Sequence, residues 1–133
     1  MIDIEQDVFN SVASVLRNKF PDIFVSGEAV DSPAKFPAVT IIENDNSVYT
    51  KMSTDNLENA VSLMYEVNVY TNEISHRKMK AKEIMSLICE EFEKIGFTRT
   101  ACGPVTNFQD DRIYRMVARF TAKADKDFWI YQS

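Results

Sequence analysis

Apolar positions along the chain repeat with two different periods. In residues 3–20, Ile4, Val8, Val12, Val15, Leu16 and Phe20 recur every three or four positions, which lays them along one side of a helix. Asp3 followed by Gln6 fits a capping box at its start, and Pro21 bars continuation past Phe20. A second stripe, made of Met79, Ala81, Ile84, Met85, Ile88, Phe92 and Ile95, predicts a helix over residues 75–95. Gly96 stands where a left-handed closing residue is wanted. In residues 60–71, "AVSLMYEVNVYT", the period is two. Val61, Leu63, Tyr65, Val67 and Val69 point one way, and Ser62, Met64, Glu66, Asn68 and Tyr70 the other, as in a strand with one face in the core. Residues 112–125 divide likewise. Tyr114, Met116, Ala118, Phe120 and Ala122 read as core; Ile113, Arg115, Val117, Arg119, Thr121 and Lys123 form a mixed apolar and basic ribbon.

Shorter β-branched or apolar runs predict strands over residues 23–30, 38–44 and 97–105. Residues 31–37 hold Pro33 and Pro37 and must bend. Residues 45–59 are polar and lack glycine, so they read as a long hairpin-like arm with Val48 and Tyr49 near its base. A turn is expected around residues 107–111, and residues 128–133 form an aromatic tail. The order is helix, two strands, arm, strand, helix, two strands. It predicts one α+β domain over residues 1–133, a mostly antiparallel sheet of four to five strands packed against two helices. A chain of 133 residues buries roughly two-thirds of its unfolded surface, enough for a core without staples.

Composition acts mainly by exclusion. Fifteen Lys and Arg against 20 Asp and Glu give a net charge of −5, which disfavours broad binding to a phosphate backbone. The opening residues have no cationic region followed by an apolar run, and no run approaches the roughly 20 apolar residues of a membrane span. The chain is therefore expected to be made and folded in a cytoplasm, with Cys89 and Cys102 as reduced thiols in separate elements. His76, the single histidine, has no Cys or His partner at ligand spacing. No GxSxG elbow is present, and Gly27, Gly96 and Gly103 cannot make a glycine-rich phosphate loop. No catalytic, cofactor-binding or metal-ligating residue is expected.

The remaining candidate chemistry is Asp110 beside Asp111, with Glu43 and Asp45 elsewhere in the chain. Clustered carboxylates hold hard cations, yet adjacent residues entering a strand point to opposite faces. Three readings stay open for the pair: turn formers, ion-pair partners across subunits, or half a metal site. The ribbon lacks the exposed aromatics of an RNA-stacking platform. It suits a flat contact with another protein subunit, or else an ordinary solvated sheet face.

Four stretches resemble one family: "FPAVTIIENDNSVY" (36–49), "SLMYEVNVYTNE" (62–73), "AKEIMSLICEEFEKIGFTRT" (81–100) and "NFQDDRIYRMVARF" (107–120). They are similar to the small tail-terminator (tail-completion) proteins of long-tailed bacteriophages and prophages, in particular a clostridial-type prophage subset. The resemblance implies a structural virion protein without enzymatic activity or cofactor. Such a protein forms a hexameric ring on the head-proximal end of the tail tube, ends tube polymerisation and offers the head-joining surface. Its implied partners are other copies of itself, the tail tube protein, the head-tail connector protein and, in a contractile tail, the sheath protein. DNA passes through without specific binding, no membrane is involved, and the protein is assembled in the bacterial cytoplasm into the virion tail or neck. Candidate subunit-interface residues are Arg112, Arg115, Arg119, Asp110, Asp111, Tyr49 and Lys51. The rivals are a connector or neck subunit, a small metal-dependent enzyme using Asp110, Asp111 and Glu43, and a nucleic-acid-binding α+β domain.

Overall fold

The two periods of the sequence become two layers. The structure, a computed structural model, describes residues 1–30, 33–48, 60–106, 110–127 and 129–132, the last two of these by backbone alone. Helices α1 (Glu5–Lys19) and α2 (Arg77–Ile95) accompany strands β1 (Phe24–Ser26), β2 (Ala38–Val48), β3 (Ala60–Thr71), β4 (Thr98–Val105), β5 (Tyr114–Asp125) and β6 (Ile130–Gln132). The fold is α+β. All six strands join one sheet in the order β1-β2-β3-β5-β4, and β6 also pairs with β5. β1 runs parallel to β2, and every other pairing is antiparallel. β6 takes residues 122–124 of β5, where β4 has already ended against Thr121. Those two strands therefore lie end to end along one side of β5.

The core forms where the helical stripes meet the alternating faces of β3 and β5. Val8, Val12 and Leu16 of α1 and Ala81, Ile84, Ile88 and Phe92 of α2 share one cluster with Val61, Tyr65, Val67, Ala118 and Phe120. Phe92 stacks on Phe120 with centroids 4.2 Å apart, and Phe97 meets both Phe92 and Tyr65 edge-on at 5.3 Å. Burying rings of this size stabilises by on the order of 2–3 kcal/mol each through apolar area removed from water. α2 stops where its sequence says it should. Gly96 has φ of 115°, its N–H donates to the Phe92 and Glu93 carbonyls, and the Phe97 N–H also donates to Phe92.

Several boundaries and details differ from the sequence expectations. The strand expected over 38–44 runs on to Val48, because residues 45–48 pair with 61–64 past a bulge between Glu43 and Asp45. Polar side chains suit this stretch because it lies at the largely exposed end of the strand. Of the arm expected over 45–59, residues 45–48 are thus strand, and residues 49–59 lie outside the described ones. The strand expected over 23–30 shortens to Phe24–Ser26. The aromatic tail is not merely an appendage, since residues 130–132 form β6. No capping box closes α1: Asp3 Oδ1 accepts the Glu5 N–H at 3.0 Å, and Gln6 Nε2 donates to Asn10. Met79 is 69% exposed, being two residues before Ala81 and five before Ile84, which takes it off the buried stripe.

Candidate interaction surface

With both helices on one side, the other side of the sheet carries the alternate residues of β3 and β5. Register sets Glu66 opposite Arg119, Tyr70 opposite Arg115 and Ser62 opposite Lys123 on this helix-free face. Arg119 is exposed, and its Nη2 lies 3.3 Å from Glu66 Oε1. A pair so open to water is worth at most about 1 kcal/mol. Arg115 is placed differently. Its Nε donates to Asn68 Oδ1 at 2.9 Å, and its guanidinium sits 5.8 Å from the Tyr70 ring centroid. Asn68 is buried, so Arg115 satisfies a side-chain oxygen that is largely withdrawn from water. Part of the face is covered at this end, where the Tyr70 hydroxyl lies 3.4 Å from the Val30 carbonyl. Of the ribbon expected from sequence, Arg119 is the outward cation and Arg115 the inward one.

Arg112 is not on the ribbon at all. It precedes β5, in a turn where the Ile113 N–H donates to the Asp110 carbonyl at 3.2 Å. Asp110 Oδ1 accepts the Arg112 backbone N–H at 3.0 Å and its Nε at 2.9 Å, while Oδ2 accepts Nη2 at 2.9 Å. This is the side-chain-to-backbone bonding that makes Asp a turn residue. The Arg112 guanidinium and N–H beside Asp110 hold its carboxyl down to about 2. Asp111 contributes through its backbone: Arg77 Nη1 donates to the Asp111 and Arg112 carbonyls at 3.2 and 2.9 Å, tying the turn to the start of α2. Residues 107–109 of the expected turn lie outside the described residues, as do Tyr49 and Lys51.

Glu43 is committed elsewhere. At the β2 bulge its carboxylate accepts the Tyr65 hydroxyl at 2.7 Å and Asn46 Nδ2 at 3.0 Å, and Asn46 also donates to the Ile2 carbonyl. Burial and the Glu43 carboxylate push the Tyr65 phenol well above its ordinary value, so it remains a proton donor. Glu43 is level with Tyr65, whereas β5 begins level with Thr71, six positions along β3. At about 3.3 Å per residue that separates Glu43 from the Asp110 turn by roughly 20 Å. The structure does not bring Asp110, Asp111 and Glu43 together. Among the described residues, no group of three or more His, Cys, Asp and Glu is placed to hold a metal ion.

Sequence reasoning passed over Arg99. It stands on β4, where it lines a groove of about 480 Å³ with Cys89, Cys102, Met85 and Met116. Its Nη1 lies 3.8 Å from Cys89 Sγ, and burial raises the Cys89 thiol against the lowering pull of that guanidinium. β4 is largely exposed, so its sequence carries no apolar alternation that would have singled out any position. No helix among the described residues is long and apolar enough to cross a membrane.

The site is therefore a mixed-charge sheet face bordered by a salt-bridged turn. No family model and no curated protein matches the chain. Among solved structures, the bacteriophage SPP1 gp17 protein is similar at 16% identity, with 88% of this chain and 89% of that chain covered and a TM-score of 0.38. At that score the two chain paths superimpose loosely, and no residue role is carried across.

Proposed function

We propose that the chain is a non-enzymatic structural protein of a long-tailed bacteriophage virion, acting as a tail terminator. In this reading, copies form a hexameric ring on the head-proximal end of the tail tube, end its polymerisation and present a surface to the head-tail connector. One observation carries the proposal. The four family-like stretches fall on β2, β3, α2 running into β4, and the turn and strand of β5. Those strands are neighbours in the order β2-β3-β5-β4, so the resemblance follows one continuous piece of the sheet and the helix above it. The helix-free face supports the reading, because the exposed Arg119 beside Glu66 suits contact with another virion subunit. The excess of acidic residues suits a channel through which DNA slides without sticking.

The test is electron microscopy of particles from a phage or prophage that carries this gene, made with the gene deleted. Tails of uncontrolled length that fail to join heads are expected. Normal tails joined to heads would overturn the proposal, and tails of normal length left unjoined would instead favour a connector or neck subunit.

A further inference from the structure

Among the described residues the sheet order leaves two open edges, and they match. β1 covers β2 only at Ala38–Thr40, and a Cβ added at Gly27 would lie 4.0 Å from the Ile41 carbonyl. From Ile42 onward, no strand among the described residues lies beyond β2. On the opposite side β4 is the edge, and all eight of its residues are at least partly exposed. Each edge is blunted over one half. On β4, Pro104 has no N–H to give, and on β2 the corresponding half is already occupied by β1. The register shows that these halves are level with each other, since Pro104 aligns through Met116 and Val69 with Val39. The open halves are level too: Thr98 aligns through Thr121 and Met64 with Asp45, and Ala101 through Arg119 and Glu66 with Ile42.

Strand direction and charge then select the occupant. β4 runs opposite to β2 in the sheet, so a second copy placed side by side in the same orientation would meet it as an antiparallel pair. Arg99 is level with Glu43 and shares its face of the sheet. The Glu43 carboxylate at the edge of one copy thereby faces the exposed Arg99 guanidinium of the next. We infer that copies of this chain join head to tail by pairing residues 98–101 of β4 with residues 42–45 of β2, with Arg99 set against Glu43. The inference rests on the ring proposed above and names the contact that closes it. The contact is heterologous, so repetition yields a ring or a filament rather than a two-fold dimer. Bulges at Glu43/Asp45 and Arg99/Ala101 keep the pairing short.

Cross-linking between marked edges tests it, in the full chain with Cys89→Ser and Cys102→Ser. One preparation carries Asn44→Cys and another Thr100→Cys, and the two are mixed under assembly conditions with a short bismaleimide. Cross-linked heterodimers are expected, with no dimer from either preparation alone, and a chain carrying both cysteines should give a ladder up to the full ring. Arg99→Glu should weaken assembly at least tenfold while leaving the circular dichroism of the monomer unchanged. Rings that form without the heterodimer, or that tolerate Arg99→Glu, would overturn the edge contact and leave the ring standing. Dimers from Asn44→Cys alone would overturn the head-to-tail arrangement. Cross-linked filaments that never close would support the edge contact and defeat the ring, and a chain that stays monomeric even with tail tubes would defeat both.

Discussion

Asp110 and Arg112 answer what two adjacent acids are doing before a strand. Asp110 is spent on its own turn, on the backbone and side chain of Arg112, and Asp111 offers carbonyl rather than carboxylate to Arg77. Asp110 ionises low because its charged form accepts those bonds. A carboxyl depressed in the folded state helps hold that state above its unfolded pKa, and the help is lost as pH falls through the folded value near 2. Asp110 is half-buried in a local turn at the surface, so its effect is read at the site and not as global stability. An NMR titration should place its midpoint near 2, and Arg112→Ala should move it upward toward the ordinary carboxylate range. A midpoint unmoved by that substitution would show that the guanidinium is not its partner. The same scale explains why the ribbon was only half legible in the sequence. Alternation placed Arg115 and Arg119 on one face correctly, but Asn68 and Glu66 became their partners through a register that no local pattern encodes. Parity alone would have removed Arg112, which lies an odd number of residues from both.

At the scale of elements, the sequence announced most clearly what is half buried. β3, β5 and α2 alternate or repeat because each has one wet side and one dry side. β4 and the far end of β2 lie at the exposed margins, so their side chains obey no period. β1 depends on parallel pairing with a strand beyond the proline bend, a long-range fact with no local mark. The junction of α2 with the margin can be probed at Gly96. Its φ of 115° is one that L side chains rarely adopt, and an added Cβ would lie 3.2 Å from Ile130 Cγ2 and 3.3 Å from the Ile130 carbonyl. Gly96→Ala should cost about 1–2 kcal/mol in denaturant titrations. It should also speed amide exchange in β6, where a loss confined to α2 would show that the two elements are not coupled through this residue.

For the whole molecule, among the described residues one sheet face carries both helices and the other carries neither, and this separates substitutions that damage folding from those that damage assembly. Arg115→Glu leaves buried Asn68 without its donor and should cost about 1–3 kcal/mol of stability, so its effect on assembly would be ambiguous. Arg119→Glu touches only the exposed pair with Glu66 and should shift stability by less than about 1 kcal/mol. If the helix-free face meets another virion subunit, Arg119→Glu should nonetheless reduce binding to tail tubes in a sedimentation assay. Unchanged binding would remove the face from the contact. The sheet margin that β6 completes also decides what light can report. The chain's single tryptophan, Trp129, is 68% exposed and is held by the Asp125 hairpin, with its N–H on Asp125 Oδ1 and its carbonyl on the Asp125 N–H. The four rings at the centre, Tyr65, Phe92, Phe97 and Phe120, include no indole. Intrinsic fluorescence therefore follows the fraying of this last hairpin, whereas near-ultraviolet dichroism follows the ring cluster, and the two signals watch different parts of the same protein let go.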